Sequence, residues 1–450
     1  VQMLLAAPGI DFNKTGVDGG TPLMRASLYG HTATVQLLLA DPGINVHQAE
    51  NYGRTALMLA SREGYTSIVQ LLLSVPGIDV NLAANDGGTA LMLASLYGHT
   101  AIVQMLLAAP GIDVNKASNG GNTALMGASK NGYTAIVQLL LAVDGIDVNK
   151  AANDGSTALM LASEKGRTAI VQLLLAAPRI DVNKAGEDGW TALMVASDNG
   201  NTAIVKLLLA VPGINVNKED EDGNTALIMA SRNGRTAIVQ LLLAAPGIDV
   251  HKTGSDGNTA LTLSSHKKHS TVVQLLLSVP GIDVNHADGN GNTSLMYASL
   301  YGHTAIVQLL LAAPGIDVNY ADEDGDTALV VASLHGYTAT VQLLLAAPGI
   351  DVNKASNCGN TALVVATHKN RTVIVKLLTD ANEPYLVKKN KEVRQWKKVP
   401  MPLRRWLEER RGVVKSRNAK LIDLWLAKKG LLDWQNSKYE KIRAKRCRMD

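Results

Sequence analysis

Bulky aromatic side chains are scarce in this 450-residue chain, which has one Phe, five Trp and eleven Tyr. The rings that usually fill a deep globular core are missing, so the apolar share of 46% comes mostly from Leu, Ala, Val and Ile. That composition suits small, uniform helices packed closely, not one large core. No apolar run approaches the ~20 residues that span a bilayer, and no secretory n-region and h-region open the sequence. Cys358 and Cys447 are too few and too far apart for a disulfide framework, which predicts an intracellular, reducing compartment, cytoplasmic before nuclear. Catalytic motifs are missing too: there is no P-loop, no G-x-G-x-x-G after a strand, no H-E-x-x-H and no zinc-type cysteine pair. The acidic stretches 219–223 and 322–326 faintly resemble calcium loops but lack the spacing and the closing Glu, so they read as turns. The sequence therefore predicts no catalytic residue, cofactor, metal or small-molecule substrate.

What is present is a period. Thr21 returns every 34 residues through Thr55, Thr89, Thr123, Thr157, Thr191, Thr225, Thr259, Thr293 and Thr327 to Thr361. A fixed interval of this size marks a stacked repeat array, in which each copy needs its neighbours to bury its apolar face. Residues 51–84 serve as a specimen. Asn51-Tyr52-Gly53-Arg54 reads as a turn. Thr55 is predicted to cap a helix over 56–61, and Gly64 to end it in the left-handed conformation. Thr66 is predicted to cap a second helix over 67–74, with Ile68, Leu71, Leu72 and Val75 as its apolar face. Pro76 and Gly77 stop that helix, and 78–81 is expected to run extended to the next turn.

This unit closely resembles the ankyrin repeat. The resemblance lies in Thr-Ala-Leu-Met-Leu-Ala-Ser (Thr89–Ser95), Gly98-His99-Thr100, Val103-Gln104-Met105-Leu106-Leu107 and Asp113-Val114-Asn115. It covers residues 1–380 or so. It implies an all-α solenoid of stacked helix-turn-helix pairs joined by hairpin loops. Residues 1–16 match the second half of a repeat, residues 17–380 hold eleven tandem copies with the last truncated, and 381–450 form a separate tail. The copies are one residue longer than the family's period, with the extra residue in the Ala-Pro-Gly-Ile stretch. The family's motif histidine is replaced, mostly by Met (Met58, Met92, Met126, Met160, Met194, Met296). Since that imidazole helps tie neighbouring repeats in the family, the array is expected to rely more on apolar packing and less on a polar tie.

Because the copies align with one another, their differences show where to look for function. The residue before each Thr varies (Gly20, Arg54, Gly88, Asn122, Ser156, Trp190), as do the two residues after the first helix (Leu28-Tyr29, Arg62-Glu63, Leu96-Tyr97, Lys130-Asn131, Leu300-Tyr301). The resemblance places these positions on the concave side formed by hairpins and first helices, which ankyrin proteins commonly use for partners. The predicted function is a non-catalytic protein-interaction scaffold acting as a monomer. Its candidate contact residues are Trp190, Tyr97, Leu96, Tyr29, Arg62, Lys130 and Tyr301, with the exposed aromatics as anchors. The competing reading is that the tyrosines pack on adjacent repeats. In repeat eight, Lys268 stands where other copies have glycine, which predicts a locally looser or re-angled array. His266 and His269 there read as a surface pair, since two ligands alone make a weak metal site.

The net charge of +4 hides two opposite regions. Residues 381–450 carry 21 Lys and Arg against 8 Asp and Glu, leaving 22 against 31 before them, and they hold Trp396, Trp406, Trp425 and Trp434. Short amphipathic stretches around Leu403–Leu407 and Leu421–Lys428, and one over 432–449, predict a basic helical tail. Three roles fit it: a cover for the end of the solenoid, an anionic partner such as nucleic acid or a membrane surface, or an adaptor contact. For the last, Val399–Leu407 faintly resembles the Pro-rich end of a box that links some ankyrin proteins to ubiquitin ligases.

Overall fold

A computed structural model describes residues 11–382. The described residues divide into two compact units, on either side of the 276–277 boundary, and each is built from the same helix pair. The basic tail and the half-repeat at residues 1–10 lie outside the described residues.

In the specimen repeat, Thr55 is extended (φ −87°, ψ 169°), and its Oγ1 accepts the Met58 N–H at 3.4 Å. This satisfies a donor that the first turn would leave unpaired. The helix runs Ala56–Glu63 and ends at Gly64 with φ 83°, whose N–H donates to the Ala60 carbonyl. Glycine is required there twice over. Positive φ penalises a side chain, and a Cβ would lie 2.6 Å from the His99 ring of the next repeat. The second helix, Thr66–Leu73, starts without a side-chain cap, so Thr66 is its first residue and not its cap. The chain then passes through turns at Pro76-Gly77. Of the stretch 78–81, Val80 and Asn81 form a turn, where Asp79 Oδ1 accepts the Asn81 N–H at 2.9 Å. Among the described residues there are no strands; the hairpins show only isolated antiparallel bridges such as Ala151–Thr157.

The core of each repeat is thin. Leu57, Met58 and Ala60 of the first helix, Ile68, Val69 and Leu72 of the second and Val80 of the following turn are buried. Val69 belongs to that face, whereas Leu71 and Val75 are only half-buried. Within each unit, first helices pack on first helices of neighbouring repeats, and second helices on second helices. Full burial of one such Leu or Ile contributes about 1.5–3 kcal/mol, so each repeat depends on its neighbours for its share. A column of serines (Ser61, Ser95, Ser129, Ser163, Ser197) is fully buried in the first helices, with hydroxyls that have no hydrogen-bond partner among the described residues.

The polar tie between repeats has moved instead of disappearing. Asn81 Nδ2 donates to the Gly111 carbonyl at 2.7 Å while its Oδ1 accepts the Asp113 N–H at 2.8 Å, and Asn115, Asn149, Asn183 and Asn217 repeat the pattern. A second ladder runs through the hairpins, where Asn85 Nδ2 donates to Asn51 O and Asn119 Nδ2 to Asn85 O. A third joins the residue after the helix-ending glycine to a carbonyl of the preceding repeat in several copies, as with His99 and Arg62 O at 2.8 Å, Arg167 and Lys130 O, and Asn201 and Glu164 O. These polar ties run through asparagines at positions other than the one the family's histidine would hold. The replaced position itself closes a local bond in three copies, with Met194 Sδ, Met296 Sδ and Thr262 Oγ1 accepting the Thr191, Thr293 and Thr259 N–H.

Three side chains occupy positive-φ positions otherwise held by glycine: Lys268 (φ 67°), Asn370 (φ 56°) and Arg179 (φ 64°). Lys268 thus keeps the turn's conformation, at a strain cost of about 1 kcal/mol, and His269 Nε2 still reaches Arg232 O at 3.0 Å.

Candidate interaction surface

The hairpins of repeats five and six and the C-terminal ends of their first helices meet around one cavity. In the hairpin of repeat six, the Gly186 N–H donates to the Trp190 carbonyl at 2.9 Å, and Gly189 turns the chain with φ 78°. This puts Glu187 and Asp188 at the exposed tip and Trp190 at its base, half-buried.

Trp190 forms one wall of a cavity of about 340 Å³. Met160, Leu161 and Val195 of two adjacent first helices supply its apolar lining, and Asp154, Glu164 and Asp188 its carboxylates. The variable positions after the first helix contribute Glu164 and Asn199, so two series that diverge among the copies meet here. No Lys or Arg lines the cavity. Glu164 pairs with its neighbour Lys165 at 2.6 Å in an exposed setting, where such a pair is worth little.

The other candidate residues do not join this cavity. Tyr29 (59% exposed) lies 6.4 Å from the His31 ring, and Tyr301 stacks on His303 at 5.8 Å. Tyr97 and Leu96 are exposed. Leu96 borders Gly127 of the next repeat, where other copies carry a larger side chain. Arg62 pairs with Glu63, and Lys130 is exposed, its carbonyl accepting from Arg167 Nε at 3.3 Å. Further along, Asp198 gathers Arg232 and Asn233 at 3.2 and 2.6 Å.

Two features were missed by sequence reasoning. Tyr52 is the most exposed of the tyrosines on this surface, at 67%, with the Arg54 guanidinium 5.4 Å from its ring centroid. It is the one aromatic in a hairpin series otherwise filled by Asp, Gly, Asn or Cys, which was a readable signal. The carboxylates of Asp154 and Asp188 belong to the same series, but their convergence on Trp190 needed the fold.

In unit two, the hairpin of Asp322–Asp326 carries a strained pair of acids. Asp326 is pushed up to about 6 by burial and by the charges of Asp322 and Asp324. Asp322 is raised as well, chiefly by burial. The equivalent hairpin in repeat seven has Asn224, whose amide donates to Asp220 at 3.3 Å. Among the described residues no cluster of three or more His, Cys, Asp or Glu side chains is placed to hold a metal ion, and no helix is long and apolar enough to cross a membrane.

No curated protein matches the chain significantly. The family model for ankyrin repeats, a unit of three copies, matches it in overlapping windows from 1–84 through 240–322 and 320–390. With helix pairs, turns and capping threonines in the arrangement that family implies, this chain belongs to the ankyrin-repeat family.

Proposed function

We propose that the protein is a non-catalytic recognition scaffold whose partners dock on the hairpin and first-helix surface, the concave side in the family. Ankyrin repeats in general serve protein–protein interaction, and the finer reading rests on one observation. Two faces of the array are exposed, but only one varies. On the second helices, Ala101, Gln104, Ala135, Gln138, Ala169 and Gln172 are all exposed, yet each series is nearly uniform. On the hairpin side, the equally exposed position after the first helix carries Glu63, Tyr97, Asn131 and Lys165. Copying alone would leave both faces alike. Divergence confined to one exposed face is what selection for a partner there produces.

The mechanism is rigid display. The asparagine ladders hold neighbouring repeats in place before binding, so little ordering cost falls on the scaffold. Anchors are the half-buried Trp190 and the exposed Tyr29, Leu96, Tyr97 and Tyr301, with Arg62 and Lys130 as charged neighbours. The test compares partner capture by the full chain carrying Tyr97→Ala, Lys130→Ala and Trp190→Ala with capture by the chain carrying Gln104→Ala, Gln138→Ala and Gln172→Ala. Loss in the first set alone supports the reading, and loss in the second alone overturns it.

A second role is favoured by the charge of residues 381–450, with 21 basic against 8 acidic side chains and four tryptophans. In this role the array positions a tail that binds an anionic partner, nucleic acid or membrane, or a ubiquitin-ligase component. Binding of the full chain to DNA or anionic vesicles that does not weaken as salt rises would remove the anionic reading.

A further inference from the structure

We propose that the cavity beside Trp190 seats an arginine side chain presented by a partner protein, a specificity that rests on the recognition role above. The cavity is about 340 Å³, at the small end of ligand pockets, and so suited to one side chain and not to a cofactor. Its lining divides as a long cationic side chain does. Met160, Leu161 and Val195 offer apolar surface for a methylene stem. Trp190 lines the same cavity, and an indole attracts a cation electrostatically best among the aromatic side chains.

The rim completes the match. Asp154 and Asp188 line the cavity and take part in no ion pair among the described residues. Glu164 is held only by Lys165, an exposed neighbour that an incoming guanidinium can displace. With no Lys or Arg lining the cavity, an anionic group entering it would meet three carboxylates and no cation, which argues against a phosphate or acidic peptide. Arginine is favoured over lysine because its planar guanidinium stacks on a ring while its edge donates to two carboxylates, which a compact ammonium cannot do together. The repeat array as a whole supplies the field, since residues 1–380 carry 31 acidic against 22 basic side chains.

The test selects a displayed library of short linear peptides on the full-length chain and measures a synthesised winner by titration. The expected result is enrichment of peptides with a central arginine. Their affinity falls by about tenfold on Trp190→Leu, which keeps the site apolar but removes the π face. It falls by about threefold on Asp188→Asn, an exposed change that leaves the fold intact. Replacing the peptide's arginine by lysine weakens binding, and replacing it by norleucine abolishes the enrichment. The proposal is overturned if winners lack a basic residue, or if Trp190→Leu leaves the affinity of arginine-bearing winners unchanged. Winners that ignore Trp190 but lose affinity on Tyr97→Ala or Lys130→Ala would sink this seat and leave the recognition surface standing. A library that yields no winner on any part of that surface would count against both.

Discussion

The second-helix face and the hairpin face of the repeats carry comparable exposure and very different histories. The sequence Thr-Ala-Ile-Val-Gln-Leu-Leu-Leu is identical in the helices Thr134–Leu141, Thr168–Leu175, Thr236–Leu243 and Thr304–Leu311. Across the same span, the residue before the capping threonine changes from Asn122 to Ser156, Trp190, Asn224 and Asn292. Burial explains why Ile136, Val137 and Leu140 stay fixed, but not why the exposed Gln138 does. The contrast teaches that exposure alone does not license change here. One face builds and shields the stack, while the other has been free, or driven, to diverge.

Substitutions on the two faces should separate sharply in stability. Leu174 is fully buried between neighbouring second helices, so Leu174→Ala should lower the stability of the full chain by about 2–5 kcal/mol. Tyr97→Ala on the hairpin side should change it by less than about 0.5 kcal/mol. Urea unfolding followed by circular dichroism measures both, and equal losses would erase the distinction between frame and display surface. Next in size is the seam between the two faces. Thr123→Ala removes the hydroxyl that accepts the Met126 N–H and should cost about 1 kcal/mol, read as faster amide exchange in the first turn of Ala124–Asn131.

A change on the variable side can also stabilise. The raised Asp326 carboxyl binds its proton more tightly in the folded chain than in the unfolded one, where its value is near 3.9. Its contribution is therefore most favourable below pH ~4 and is lost as pH rises through about 6. Asp326→Asn should stabilise the fold by about 1 kcal/mol at neutral pH, discounted for partial exposure. That advantage should fade by pH ~4. It recreates the amide-to-carboxylate bond that Asn224 makes with Asp220. Thermal melts of both proteins across this range check the sign. A pH-independent gain would mean that the acid pair is not its source.

The smallest effect concerns Gly127, which sits within the helix Ala124–Asn131. A Cβ there would meet Leu96 at ordinary contact distances of 3.6–3.7 Å. Gly127→Ala should therefore stabilise by about 0.5–1 kcal/mol, the cost of glycine inside a helix. A destabilised variant would show that the bare backbone at this point of the display surface is itself required by packing.

Much of the fold was legible because its signals are local. A threonine before an apolar stretch, a glycine after it and a Pro-Gly stop each act within a few residues, and the period multiplied every such signal. What the sequence hid was longer in range. Thr66 looked like a cap, yet Tyr65 already stands at that boundary with no side-chain bond. Asn81 reveals itself as a bridge only when Gly111 and Asp113 of the next repeat are set beside it. Arg179 could have been flagged, since it replaces the glycine that follows Pro in most other copies. Trp190 stood out by identity, but its carboxylate neighbours come from residues as distant as Asp154 and Glu164, and only the stacking of repeats brings them to the indole.

The most direct test of the account asks which exposed face meets partners. A photo-crosslinking amino acid is placed in the full chain at Asn131 or Lys165 on the hairpin side, or at Gln138 or Gln172 on the second helices, and adducts are analysed by mass spectrometry. The account predicts that Asn131 and Lys165 form protein adducts, that Gln138 and Gln172 form none, and that Trp190→Leu diminishes the adducts at Lys165. Adducts formed chiefly from Gln138 and Gln172 would contradict it.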